Sequence, residues 1–239
     1  MFFRRYCSLK KIGVRKMKTL SAPFDVVLCV TNKCNFSCKH CLAGESLSQG
    51  NDFTKQELFR IIDDLVQAKV FNICIFGGEP LCREDIFEVI DYLHSKPVSI
   101  SLNTNATLIT KDKAEKLAGF KKLKGLTVSF DSDRQEEMDL MRGKGAFSNA
   151  IRGIEHILAT RLSVLLSVTV TKFNFLRIKE LAHFGKKIGA RCVRYNSVFF
   201  GGNAHCNLNE IMLSPKEHKA ALDLVEATVS EFGKFISRE

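Results

Sequence analysis

Phe24-Asp25-Val26-Val27-Leu28-Cys29-Val30 runs straight into Thr31-Asn32-Lys33-Cys34-Asn35-Phe36-Ser37-Cys38-Lys39-His40-Cys41. The first run is rich in β-branched and aromatic side chains and reads as a strand. The second is polar and carries cysteines in a CxxxCxxC spacing, so these thiols sit on the loop at the strand's carboxyl end. Further strand candidates lie at residues 71–76, 98–102, 126–130, 163–170 and 191–196, each followed by a loop and a helical pattern. That alternation is the signature of successive βα units with parallel strands. Six such units curl into either a doubly wound sheet or a barrel, complete or partial, and periodicity leaves both open. In either fold, ligands collect at the carboxyl ends of the strands.

The helical segments carry their own start signals. Thr54 with Glu57 and Ser214 with Glu217 fit capping boxes, the second with Pro215 at the first helical position, and Asn174 suits the start of another helix. Leu58, Ile61, Ile62 and Leu65 share one helix face and read as core.

With 239 residues, 45% of them hydrophobic, the chain can bury one large core and reads as a single α/β domain at residues 23–239, preceded by a basic arm at 1–22. Arg4, Arg5, Lys10, Lys11, Arg15, Lys16 and Lys18, with no acid among them, carry most of the net charge of +10. Charge gathered in a tail, with no basic stripe along the fold, argues against nucleic acid as partner. It suits a solvated arm or contact with an acidic partner. No uncharged apolar run approaches the roughly 18 residues that cross a bilayer, and no membrane partner is expected. Nine cysteines without a signal-peptide pattern point to the reducing cytoplasm, where thiols stay free or bind metal.

Three thiolates on one short loop can hold three corners of an iron–sulfur cube and leave one iron open. An open position is what distinguishes a catalytic metal centre from a structural one. Zinc is the alternative, with His40 as fourth ligand, although adjacent His40 and Cys41 make an awkward tetrahedral pair. Cys29 and Cys74 lie in apolar strands and read as core, while Cys7, Cys82 and Cys206 read as incidental thiols.

Other motifs fall at successive strand ends. Gly77-Gly78-Glu79-Pro80 closes the second strand, Asn103-Thr104-Asn105 follows the third, Val128-Ser129-Phe130-Asp131 ends the fourth, and Arg142-Gly143 comes after it. Together with the cysteine loop, this series resembles the radical S-adenosylmethionine (radical SAM) superfamily from about residue 24 onward. The resemblance implies an α/β fold of the partial (βα)6 TIM-like barrel type with parallel strands. It implies a [4Fe–4S] cluster on Cys34, Cys38 and Cys41, with S-adenosylmethionine (SAM) chelated at the open iron. Reductive cleavage of SAM then gives a 5′-deoxyadenosyl radical that takes hydrogen from a substrate, with reduced flavodoxin or ferredoxin as electron donor.

The resemblance also distributes SAM contacts. Gly77 and Gly78 allow close backbone approach, Glu79 supplies charge complementary to the SAM ammonium group, and the Ser129 hydroxyl meets ribose or carboxylate. Arg142 pairs with the methionine carboxylate. His40 lies against adenine, where Phe and Tyr are common, and Phe199 packs on adenine as well. Asn103 and Thr104 touch cofactor or substrate, and Lys172 is read as facing substrate. Arg142-Gly143-Lys144-Gly145-Ala146-Phe147, Gly201-Gly202-Asn203-Ala204 and Leu213-Ser214-Pro215-Lys216-Glu217 look most like SPASM-type enzymes, which modify ribosomally made peptides or mature other enzymes. The chain is read as lacking the cysteine-rich C-terminal extension of those enzymes. Hydrogen abstraction from a peptide or protein is the leading expectation. Cofactor biosynthesis of the molybdopterin or haem kind, on a small molecule, is the second, and a non-catalytic iron–sulfur or zinc protein the third.

Overall fold

The computed structural model describes residues 22–44 and 51–238. The basic arm, up to residue 21, and Cys7 lie outside the described residues. Strand β1 (Asp25–Cys29) is followed by α1 (Lys55–Gln67), β2 (Asn72–Phe76), α2 (Ile86–Ser95), β3 (Ser99–Thr104), α3 (Lys111–Gly119) and β4 (Leu123–Ser129). Two helices, α4 (Gln135–Arg142) and α5 (Ala146–Leu158), lead to β5 (Ser163–Val170), and α6 (Ile178–Lys187) to β6 (Cys192–Ser197). Short α7 (Gly202–Cys206) and α8 (Leu208–Ile211), then the long α9 (Pro215–Phe232), precede β7 (Ile236–Arg238).

All seven strands form one sheet in the order β1-β2-β3-β4-β5-β6-β7, and each neighbouring pair is parallel. This order decides what periodicity left open. A doubly wound sheet reverses its strand order at a switch point. Here every crossover advances in one direction, so right-handed connections put the helices on one face and curl the sheet as in a barrel. The sheet is open, with one strand more than the expected six: β7 is too short and too close to the chain end to carry its own periodic signal.

Residues alternate strictly along the strands. Val164, Leu166 and Val168 of β5 are fully buried under the helices, while Ser163, Leu165, Ser167 and Thr169 face the other way and stay partly accessible. In β2, Ile73 and Ile75 are buried, whereas Asn72, Cys74 and Phe76 share the opposite face. Parallel sheets covered on both sides read as continuous apolar runs; among the described residues, this one is covered by helices on one side only. Cys29, expected in the core, is exposed, and Cys74 is half-buried. Both fall on the uncovered face, because the period of two places them opposite Leu28, Ile73 and Ile75.

The helices seat as their sequences specify. Thr54 and Ser214 form complete capping boxes with Glu57 and Glu217, and Pro215 opens α9. Leu58 and Ile62 are fully buried, with Ile61 and Leu65 packed beside them. Asn174 stands at the start of the short 3-10 turn Phe175–Arg177, but its side chain makes no cap bond there. Its side chain accepts from Thr171 N–H (2.8 Å) and donates to the Asp131 (2.8 Å) and Thr169 (2.9 Å) carbonyls, tying the end of β5 to the end of β4.

Helix α5 lies so close to the loop after β3 that a Cβ on Gly153 would collide with the Ala106 carbonyl. Ala106 itself is held at a φ of 62°, so that loop has little freedom to retreat. Gly153→Ala should therefore lower stability by about 1–3 kcal/mol through overpacking, read as an earlier urea midpoint. An unchanged midpoint would show that α5 can shift.

Candidate active site

The cysteine loop is built against the loop that follows β2. Val30 N–H donates to the Phe76 carbonyl (2.9 Å), Gly78 N–H to Thr31 (2.9 Å) and Glu79 N–H to Lys33 (2.8 Å). Asp52 accepts from the Thr31 hydroxyl and from Asn32 N–H, both at 2.6 Å. Gly77, at a φ of 149°, has its missing Cβ aimed at the Thr31 carbonyl, and a Cβ on Gly78 would strike the Lys33 carbonyl. Both glycines line the cavity described below. Their lack of side chains is nevertheless demanded by the neighbouring cysteine loop, where sequence reasoning credited the approach of a ligand.

Glu79 departs from its expected role. It is fully buried, and its carboxylate accepts from Leu81 N–H (3.1 Å), the Thr104 hydroxyl (2.8 Å) and Asn105 N–H (2.7 Å). Burial pushes its pKa up, with those hydrogen bonds pulling the other way. Its charge is spent joining the end of β2 to the end of β3, and it does not border the cavity. Thr104, whose hydroxyl it holds, does border it, as does Asn103, whose side-chain oxygen takes the Cys74 thiol at 3.5 Å.

Arg142, at the end of α4, also differs from expectation. Its Nε lies 2.7 Å from Asp131 Oδ2, both side chains being buried. The contact is close but poorly aligned for a hydrogen bond, so it is chiefly coulombic. His40 Nε2 sits 3.4 Å from the same carboxylate oxygen and 3.4 Å from Arg142 Nη2, while Arg142 Nη1 is 3.9 Å from Cys38 Sγ. The guanidinium expected to stand ready for a methionine carboxylate is thus already neutralised by Asp131, though it still reaches the cavity wall. Burial opposes ionisation of Asp131, but Arg142, His40 and Thr169 N–H outweigh it and hold its pKa below the usual carboxylate range. Burial pushes the His40 imidazole down to about 4, Asp131 raising it and Arg142 lowering it further, so it is uncharged at neutral pH. The Cys38 thiol is pushed up to about 11 by burial against the pull of Arg142. It keeps its proton until a metal displaces it.

These residues border one cavity of about 1000 Å³ at the carboxyl ends of the strands. Cys34, Cys38, Cys41 and His40 form one side. Ser129 borders it too, as does Phe199, which is 71% exposed. The structure therefore brings together every expected site residue except Glu79 and Lys172. Lys172 stays outside: its ammonium donates to the Asn209 carbonyl (3.0 Å) and braces α8. Among the described residues, no three Cys, His, Asp or Glu side chains converge closely enough for a single metal ion.

Sequence reasoning missed part of the site. Asp131 was legible only as the end of a motif, although a carboxylate closing an otherwise apolar strand is a signal in itself. Thr127, Ser167, Thr169, Arg194 and Asn196 also line the cavity. Their signal was the polar half of the period-two alternation in β4, β5 and β6.

Comparison with known proteins agrees with this geometry. The family model described as Radical SAM superfamily matches residues 28–185. The chain is 34% identical over 172 residues to the mycofactocin maturase MftC of Mycolicibacterium smegmatis, covering 72% of this chain and 44% of that protein. It is 33% identical over 184 residues to an AdoMet-dependent heme synthase of Methanosarcina barkeri, covering 75% and 51%. Among solved structures, Streptococcus suis SuiB bound to its precursor peptide SuiA shares the fold with a TM-score of 0.78 at 17% identity, over 92% of this chain and 49% of that one. The chain spans about half the length of the curated relatives it matches. It belongs to the radical SAM superfamily, whose members work with a [4Fe–4S] cluster and SAM.

Proposed function

We propose that residues 23–239 are the radical-generating domain of a peptide-modifying enzyme, with the cluster held by Cys34, Cys38 and Cys41 and SAM bound in the adjoining cavity. When bound, the two supply one-electron cleavage of the sulfonium to a 5′-deoxyadenosyl radical, for which reduced flavodoxin or ferredoxin is the proposed cytoplasmic electron source. The residues suit a cluster: Gly44 N–H already donates to Cys41 Sγ at 3.2 Å, and the Arg142 cation lies beside Cys38. Hydrogen bonds and charge near the sulfurs are how a protein sets a cluster's potential. Ser129, Asn103 and Thr104 are placed to contact SAM, with Arg142 reaching its carboxylate only through the nitrogens that Asp131 leaves, and Phe199 covering the adenine.

The observation that carries the choice of a peptide is the polar face that β3 to β6 turn toward the cavity. Beyond the Asn103 and Ser129 given to SAM, it is contributed by Thr127 of β4, Ser167 and Thr169 of β5, and Asn196 of β6. Asn196 spends its NH2 on Ser167 Oγ (2.9 Å) and the Val168 carbonyl (3.3 Å), and its side-chain oxygen has no protein partner among the described residues. Hydroxyls and amides in that number suit a substrate rich in N–H and C=O groups, such as a peptide main chain. A flat apolar macrocycle gains from aromatic and aliphatic walls; here β3 to β6 turn hydroxyls and amides to the cavity, and Phe76 of β2 is the aromatic side chain beside them. MftC is named as a maturase, and SuiB was solved with a precursor peptide, which supports the same reading. Small-molecule synthesis is the second reading, favoured by the likeness to the heme synthase.

Two outcomes follow. Incubated anaerobically with SAM, a reductant and a candidate precursor peptide deuterated at carbon, the protein should place deuterium in 5′-deoxyadenosine, measured by mass spectrometry. Deuterium transfer only from a labelled tetrapyrrole or nucleotide would favour the second reading. Asn196→Leu should raise the KM for peptide about tenfold, as expected for losing one hydrogen bond worth about 1.4 kcal/mol. An unaltered KM would remove Asn196 from the substrate wall.

A further inference from the structure

We propose that Asn203 and Asn207 of the α7 segment are positioning residues for the cluster, acting through the main chain of the cysteine loop. The proposal rests on the cluster assignment above. The stretch from Cys34 to Ala43 contains no helix or strand, so its carbonyls must find donors outside secondary structure. Within the loop, Cys41 N–H donates to Cys38 (3.1 Å). From outside, Lys39 N–H is taken up by the Met141 carbonyl at 2.9 Å.

Further donors come from the α7 segment. The Asn203 amide donates to the Cys38 carbonyl (3.1 Å) and the Ser37 hydroxyl (3.0 Å). The Asn207 amide donates to the Lys39 carbonyl (3.2 Å) and back to the Asn203 main-chain carbonyl (2.8 Å), which ties the Asn207 side chain to the backbone that carries Asn203. Ala204 N–H reaches toward the Cys41 carbonyl at 3.5 Å. A side-chain amide suits this place because its NH2 offers two donor hydrogens to two oxygen acceptors and carries no charge.

The approach is backbone against backbone. Gly44 and Gly202 both have a φ of 51°, and a Cβ on either would collide, the first with Asn203, the second with the Leu42 carbonyl. The clamp is fixed to the barrel by a small apolar cluster of Met141, Ala204 and Ile211, with Phe173, Val198 and Met212 packed around it. An ion pair from Lys39 to Glu210 closes its far side. One short segment thus holds the carbonyl of one proposed ligand, Cys38, and that of the residue after it, and is itself held by α4, which presents Arg142.

The test follows iron rather than turnover. Wild type, Asn203→Ala, Asn207→Ala and the isosteric Asn203→Asp would be reconstituted anaerobically with iron and sulfide and then mixed with a ferrous chelator. Each variant should lose iron about tenfold faster than wild type, the effect of about 1.4 kcal/mol of lost hydrogen bonding. The EPR spectrum of its reduced cluster should change as well. The metal-free melting temperature should move by no more than about 4 °C, which separates positioning from general destabilisation. Iron lost at the wild-type rate with an unaltered spectrum would overturn the clamp. A wild-type chain that takes up no iron would overturn the cluster assignment itself.

Discussion

A parallel sheet that buries only one of its faces leaves the other to be satisfied by something else, and much of this molecule follows from that constraint. The outer face, with Ile73, Ile75, Leu102, Val128, Leu166 and Val193, is sealed by the helices and supplies the hydrophobic stabilisation. The inner face is polar and partly accessible. Sequential strand order then gathers the carboxyl ends of all strands at one rim, where the cysteine loop, the Gly77–Gly78 turn and the end of α4 meet. Chemistry that needs a cluster, a cofactor and a substrate side by side finds them there on neighbouring strand ends.

The rim is held by interactions that leave little slack. Glu79 satisfies three donors from two loops, Arg83 reaches the Val30 and Phe53 carbonyls at 2.8 Å each, and the Arg142–Asp131 pair is out of water. Breaking a buried pair by removing one partner typically costs about 3–5 kcal/mol, because the survivor stays charged and unsolvated. Such a pair is weak evidence for extra stability, yet it fixes where the guanidinium stands. Here it stands between Cys38 and His40 with its charge largely cancelled. A neutral His40 and a compensated Arg142 keep the net charge beside the cysteines low, which matters where a cluster must accept an electron.

Most of the architecture was legible in the sequence. The strand at 163–170 matches β5 to the residue, and the capping boxes at Thr54 and Ser214 exist as read, because both signals are local. Strand ends drifted where packing decides: β4 begins at Leu123, three residues before its apolar run suggests, since Gly125 lies tight against Ser163 of β5 and has no side chain to announce itself. The cysteines, Ser129 and Asn103 could be named as lining the cavity because motifs name positions. That Glu79 and Lys172 stand outside it was not legible, because a motif does not say where a side chain points. Asp131 and the serines and threonines of the inner face went unread as a site because their meaning depends on which face of the sheet lies open, and only the strand order settles that.

The central claim, that Cys34, Cys38 and Cys41 hold a cluster with one iron open to SAM, is tested most directly by EPR of the anaerobically reconstituted, reduced chain with and without SAM. The account predicts roughly four irons per chain and a reduced-cluster signal whose g-values shift when SAM is added, because SAM then ligates the open iron. A signal indifferent to SAM, or tight stoichiometric zinc in place of iron, would contradict it.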